Sequence, residues 1–289
     1  MTEIAGPTKN LTAPQPAAAA PSARWGDLRL RVLSAVVLAP LALGCIWFGG
    51  LPFATLVGLI SAGLAFEWLH LCERRLPPVA ALCFIALPAA VALTALGSGE
   101  GALTLLAVAT IALSVHSGGI GWAKPLAFGI PYLGLGSVAM VWLRQVPASG
   151  RADVIVLLLL VWASDIGAYL IGRALGGPRL APSISPGKTW SGALGGLAAA
   201  VAVGLIAAAI LGIGTSPLRV ACVAALTGCV SQAGDLFESQ LKRHFGVKDS
   251  GRLIPGHGGL LDRLDALLFA APVAGLLALT PGRGVGIWQ

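Results

Sequence analysis

The sequence predicts an all-α protein, a polytopic integral membrane helix bundle with about nine transmembrane helices. Three observations carry this expectation. Of the 289 residues 56% are hydrophobic and only 11% charged, with a mean hydropathy of +0.86, so polar side chains are too few to cover a water-soluble globule. Apolar runs approaching the roughly 20 helical residues that cross a hydrocarbon core recur along most of the chain. Lysine and arginine, in addition, divide unevenly between alternate connecting loops.

Residues 1–27 are rich in Ala, Pro and Thr, with TAPQPAAAAP at 12–21, and lack apolar periodicity. They are expected to form a disordered cytoplasmic tail ahead of a membrane domain at 28–289. The run at 30–48 is longer than a signal-peptide core and is followed by no small-residue cleavage site, so it is read as the first span. Further spans are expected at 51–71, 79–96, 102–115, 125–143, 154–172, 190–213, 219–236 and 264–279. The fourth is short and the fifth is broken by Pro131 and several glycines, so a re-entrant path is open to either.

Placing the N-terminus inside leaves only Arg144, Arg151, Arg219 and Arg283, of 19 Lys and Arg, on the outer side. That asymmetry supports nine crossings and puts every highly charged loop in the cytoplasm. The net charge of +7 follows from these basic loops and calls for no nucleic acid. Cys45, Cys72, Cys83, Cys222 and Cys229 lie in or beside apolar runs without metal-ligand spacing and are read as small buried hydrophobes. Trp47, Trp68, Trp122, Trp142 and Trp190 lie near span ends, where an aromatic belt accounts for them.

One stretch departs from this economy of charge. Between Gly234 and Asp265 the chain holds five acids and five Lys or Arg. A solvated loop is the plain reading, but three features point to chemistry. Asp235 and Glu238 close the eighth span and Asp262 and Asp265 open the ninth, each pair three residues apart and so on one helical face. Carboxylates at a membrane need partners, and two such helix ends suit a divalent cation such as Mg2+, which takes one or two carboxylates and completes its shell with phosphates. Lys242, Arg243, Lys248 and Arg263 interleave with the acids, as phosphoryl chemistry requires. Pro255 to Gly259 form a glycine-rich turn before the last span, where backbone N–H groups could approach an anion.

Ser239, Leu241, Lys242, Arg243, Lys248, Asp249, Pro255, His257, Gly258, Gly259, Asp262, Arg263 and Asp265 together resemble the signature of the phosphatidate cytidylyltransferases, also called CDP-diacylglycerol synthases. Trp162, Asp165, Ala168, Tyr169, Gly172 and Arg173 resemble that family's sixth-span motif. Ser185, Pro186, Lys188, Thr189 and Gly192 resemble its following loop, with one departure: Ser191 stands where many members have an acid. The resemblance implies that CTP and phosphatidate give CDP-diacylglycerol and pyrophosphate with Mg2+. It further implies a multi-pass protein of the bacterial inner membrane, its site facing the cytoplasm, and suggests a homodimer.

The expected metal ligands are Asp235 and Asp262, with Asp265 and Asp165 as further candidates; four carboxylates could hold a second ion. Lys242, Arg243, Lys248 and Arg263 are expected at the triphosphate or lipid phosphate. Ser185, Lys188 and Thr189, with Asp249, Gly258 and Gly259, are expected to complete nucleotide binding. His257 is either an acid for the leaving group or an anchor for its turn. Asp165 either joins the site or pairs with a cation on a neighbouring helix. Glu67 has no motif around it and is read as structural or interfacial. A related lipid cytidylyltransferase or a CTP-dependent lipid kinase could use the same site. A transporter would instead spread its polar groups across the bilayer.

Overall fold

The structure is a computed structural model that describes residues 21–72, 78–119, 125–214 and 216–279, with side chains from residue 31 onward. The expected tail through residue 20, together with Arg74, Arg75, Trp122, Lys124 and Arg283, lies outside the described residues.

Each expected span is a helix or a pair of short helices. The first two are α1 (Pro21–Phe48) and α2 (Gly50–Cys72), α1 starting within the stretch expected as tail. The third span is α3 (Pro78–Phe84) and α4 (Ala86–Ala95), separated at Ile85. Pro88 explains the break: it has no N–H to give to the Phe84 carbonyl four residues back. The re-entrant alternative fails for the fourth and fifth spans, because α5 (Gly99–Ser117) and α6 (Pro125–Gln145) are continuous helices of 19 and 21 residues. Then follow α7 (Gly150–Leu175), α8 (Trp190–Ile210), α9 (Pro217–His244) and α10 (Leu261–Leu277). Among the described residues eight helical segments, α3 and α4 counted together, are long and apolar enough to cross a membrane. The expected ninth, α10, has 17 residues, about 26 Å of helix.

The bundle is all-α apart from an antiparallel hairpin between α7 and α8, β1 (Arg179–Ala181) paired with β2 (Ser185–Thr189). It occupies the loop whose motif resembled the family, and β2 runs directly into α8, capped by Thr189, whose Oγ1 accepts the Gly192 N–H at 3.1 Å.

Two apolar clusters hold the helices. One joins α7, α8, α9 and α10 through residues such as Leu157, Leu160, Ala208, Ala224 and Ala270. The other joins α2, α4, α5 and α6 to the ends of α9 and α10, with Trp68, Leu87, Leu133, Leu241 and Leu261 fully buried. Trp68 is therefore no belt residue: it packs against Phe128 and Tyr132 inside the bundle. The other correction concerns the cysteines. None is buried, and Cys222 and Cys229 are exposed, because the outer face of a membrane helix is as apolar as its core and takes a small thiol equally well.

The two ends of the bundle differ chemically. At one, Arg144 on α6 donates to the Ile46 and Trp47 carbonyls of α1, and Arg151 on α7 lies 4.3 Å over the Trp47 ring. The opposite end gathers the start of α1, the end of α2, the hairpin and the α9–α10 loop, where Ser34, Glu67, Ile184, Arg243 and His257 share contacts. Lys188, Lys242, Arg243 and Arg263 all belong to this second end, as their loop assignment requires.

Candidate active site

Small residues open the site. On α7, Ser164, Ala168 and Gly172 recur every four residues and face Gly192 and Gly196 of α8. A Cβ at Gly196 would lie 2.5 Å from the Ser164 carbonyl oxygen, and one at Gly192 2.8 Å from that of Ala168, so the two backbones touch as small-residue stripes permit. The neighbouring stripe of α7, Asp165 and Tyr169, is turned toward α9 and the hairpin. There the walls enclose a cavity of about 630 Å³. Asp165, Tyr169 and Arg173 line it from α7, Ser185, Lys188 and Thr189 from β2, and Gln232 and Asp235 from α9.

Across the cavity mouth Lys188 Nζ meets Asp235 Oδ2 at 2.6 Å. Deeper, Gln232 on α9 donates its amide to Ser164 Oγ and to the Ala193 carbonyl, both at 3.1 Å, tying α7, α8 and α9 together. Ser191, the departure from the family pattern, donates to the Gly176 carbonyl and sits 3.0 Å from Thr189 Oγ1. It thus fastens the hairpin to the end of α7.

A second polar group lies beside the cavity, between α9 and α10. Lys242 Nζ is 2.6 Å from Glu238 Oε2 and 2.9 Å from Asp262 Oδ1. Asp262 also accepts the Ser250 N–H at 3.1 Å on both oxygens and the Gly259 N–H at 3.0 Å on Oδ2. Asp265, one turn further along α10, interacts electrostatically with Asp235, Asp165 and Lys242 and so links the two groups. An aromatic cluster of Phe128, Tyr132, Phe237 and Phe269 packs beneath, with ring centroids 5.0–5.9 Å apart, and sets α9 and α10 at a fixed spacing.

The expected residues therefore separate into three groups. Asp165, Ser185, Lys188, Thr189 and Asp235 share the cavity. Lys242, Asp262 and Asp265 form its flank, joined by Glu238. The rest lie off it. The His257 ring contacts Ser34 of α1 at 3.0 Å through Nδ1, and its carbonyl accepts from Arg263 Nε at 2.9 Å and from a second Arg263 nitrogen at 2.6 Å. Those contacts tie the turn to α1 and engage Arg263 locally. Arg243 reaches the hairpin at the Ile184 carbonyl, 3.4 Å away. Lys248 and Asp249 are exposed on the loop. The amides of Gly259, Leu260 and Leu261, where an anion was expected, go to Asp262 and Glu67. Helix α10 begins inside the protein, so one carboxylate of its own, Asp262, and one from α2, Glu67, take those donors.

Sequence reasoning missed Gln232, Ser250 and the full part played by Glu67. Gln232 is a polar residue one turn before Asp235 within an apolar span, a signal that was legible. Ser250 gave none, since a serine in a polar loop is unremarkable in sequence.

The donor set fits a hard divalent cation in part. Asp165, Asp235 and Asp265 come from three helices and lie within one another's electrostatic reach. Among the described residues, however, no three acidic, histidine or cysteine side chains converge as a ready cage. One or two carboxylates with phosphate oxygens completing the shell is the arrangement Mg2+ commonly takes, and the cavity offers that. Asp262, with both oxygens engaged by N–H donors, is the least available of the four.

Comparison with known proteins bears on the whole of this arrangement. Residues 29–280 match the cytidylyltransferase family. The chain belongs to that family. A phosphatidate cytidylyltransferase of Brucella suis biovar 1 is 39% identical over 249 residues, covering 85% of this chain and 91% of the relative. One from Pseudomonas aeruginosa is 39% identical over 270 residues, 89% of this chain and 99% of the relative. One from Staphylococcus saprophyticus shares 39% over 150 residues, 52% of this chain. The match to the cytidylyltransferase family runs from α1 through α10, so it takes in the cavity, its flank and Glu67 alike.

Proposed function

We propose that this enzyme transfers the cytidylyl group of CTP to phosphatidate, forming CDP-diacylglycerol and pyrophosphate, in the cavity between α7, the hairpin and α9. The observation that carries the reading is the facing of Lys188 and Asp235 at 2.6 Å across the mouth of a cavity at one end of an apolar bundle. A carboxylate and an ammonium at one opening can address a metal and a phosphate together. Polar residues gathered at one end of the bundle disfavour a transport pathway, which needs them along its length.

A phosphatidate oxygen attacks the α-phosphorus of CTP, a new P–O bond forms, and the bond to the β-phosphate bridging oxygen breaks as pyrophosphate leaves. The nucleophile is a phosphate monoester with a second pKa of about 6, so it is ionised at neutral pH and no general base is obligatory. What the protein must do is hold two polyanions together and offset charge on the leaving group. Lys188 serves a phosphate from β2 once released from Asp235, with Arg173 and Arg179 at the rim of the same cavity. Asp235, Asp165 and Asp265 would hold Mg2+, one ion or two, and the bound ion would neutralise phosphate charge. Lys242 keeps Glu238 and Asp262 in place beside them.

The resemblance and the bacterial relatives support the inner membrane as location, and the basic loops support a cytoplasm-facing site and no nucleic-acid partner. A homodimer rests on the resemblance, and its mass in detergent would test it. The activity is tested with purified protein, CTP labelled at the α-phosphate, and phosphatidate. Label in a lipid product with release of pyrophosphate is expected. Release of CDP with a phosphorylated lipid would mean a kinase, and no product would remove the enzyme reading.

A further inference from the structure

We propose that Glu67 is a positioning residue for cytidylyl transfer, fixing the N-terminus of α10 and through it Asp262 and Asp265. The proposal rests on the reaction given above. Glu67 stands near the end of α2, almost two hundred positions before the residues it touches, and is 2% exposed. Its Oε1 accepts the Leu260 N–H at 2.9 Å and its Oε2 the Leu261 N–H at 2.8 Å, with Ser250 Oγ 3.4 Å from Oε2. A carboxylate taken out of water must have its charge answered. Here the answer is the start of α10, whose unsatisfied N–H groups form the positive end of the helix dipole.

Both partners are shaped for the contact. One turn before Glu67, Gly63 makes a notch: a Cβ there would stand 2.8 Å from Leu253 Cδ2 and 2.9 Å from Leu260 Cδ2. On the loop side, a Cβ at Gly251 would stand 2.5 Å from Glu67 Oε1. Ser250, whose hydroxyl approaches Glu67, gives its own N–H to both oxygens of Asp262 at 3.1 Å. Glu67 thus holds both the loop at Ser250 and the residues just before Asp262 without lining the cavity, and Asp265 follows one turn along the same helix.

The test uses full-length wild type, Glu67→Ala and Glu67→Gln in nanodiscs, with three readouts: hydrogen exchange by peptide, kcat against KM for phosphatidate, and the Mg2+ concentration giving half-maximal rate. Losing a partner that orients such groups costs about 10- to 100-fold in activity or metal affinity. In Glu67→Ala, kcat is expected to fall by that factor and the Mg2+ requirement to rise, with KM for phosphatidate little changed. Exchange should accelerate in peptides covering 248–265 and stay unchanged at 145–153. Glu67→Gln keeps one acceptor oxygen but sets an NH2 group against the second backbone N–H, so it should fall between. Normal kcat and Mg2+ response beside locally faster exchange would overturn the proposal, leaving a purely structural cap. Faster exchange at both ends of the bundle would overturn it too. If Glu67→Ala does not fold, Glu67→Gln decides by the same criteria. Failure of wild type to make product would count against the reaction itself, while the exchange result would still report on the cap.

Discussion

Replacing Lys242 by methionine removes the one ammonium that answers both Glu238, 1% exposed, and Asp262, 11% exposed, at 2.6 and 2.9 Å. Methionine keeps most of the volume, so the change is chiefly one of charge. Breaking a buried ion pair by removing one partner costs about 3–5 kcal/mol, because the other charge is left without compensation. The Lys242 side chain is 16% exposed, so water can partly replace it, and Asp262 keeps its two N–H donors. The lower figure, about 3 kcal/mol, is therefore expected, roughly a hundredfold in the folding equilibrium. Glu238 carries most of this cost, since it is the more deeply buried of the two acids and Asp262 keeps its backbone donors. Adding Glu238→Gln should then restore part of the loss, with a coupling of about 1 kcal/mol or more. Unfolding titrations in mixed micelles on the wild type, both single variants and the double variant measure this. Stability of Lys242→Met within about 0.5 kcal/mol of wild type, or strict additivity in the double variant, would refute the reasoning.

Lys188→Met removes the phosphate-facing ammonium of the cavity and should lower kcat/KM for CTP by about 10²–10³-fold while leaving the unfolding midpoint near wild type; an unchanged kcat/KM would exclude Lys188 from phosphate binding. Gly196→Leu forces a side chain into the Ser164 carbonyl and the Gln232 amide and should cost about 1–3 kcal/mol of stability, read by the same titration. Chelation of divalent cations should stop turnover and added Mg2+ restore it, measured as pyrophosphate release; turnover persisting in excess chelator would rule out the metal.

The spans were legible because composition alone forces a chain this apolar into a bilayer, and a helix is the fold in which each span satisfies its own backbone. The hairpin was not, since β1 and β2 are short and polar, without the alternation that marks a strand. Trp68 was misread for a related reason: a tryptophan near a span end looks the same in sequence whether it faces lipid or Phe128 and Tyr132. Within the site, spacing of three placed Asp235 with Glu238 on one face of α9 and Asp262 with Asp265 on one face of α10, although Asp235 lines the cavity and the other three lie on its flank. It could not tell which carboxylates are already bonded. That depends on contacts such as Glu67 with Leu260 and Leu261, which join segments far apart in sequence.

The partners of the acids separate framework from chemistry more sharply than their positions do. Inside an apolar bundle a carboxylate has little water to turn to, so each needs a dedicated donor. Asp153 accepts from Ser149 at 2.7 Å, Glu67 from the start of α10, and Glu238 and Asp262 from Lys242. Asp235 has Lys188, but only across the open cavity mouth. Asp165 faces that same cavity and has neither a hydrogen bond nor an ion pair among the described residues. It feels the negative charge of Asp235 and the positive charge of Lys188. Of the cations at this opening only Lys188 is ion-paired to a carboxylate among the described residues, since Arg173 donates to the Tyr169 hydroxyl and Arg179 to the Gly187 carbonyl. A divalent cation arriving with a nucleotide would take over Asp235 and Asp165 and free Lys188 for a phosphate. On this reasoning Asp165→Asn should raise the Mg2+ concentration needed for half-maximal turnover without the loss of stability expected at Lys242.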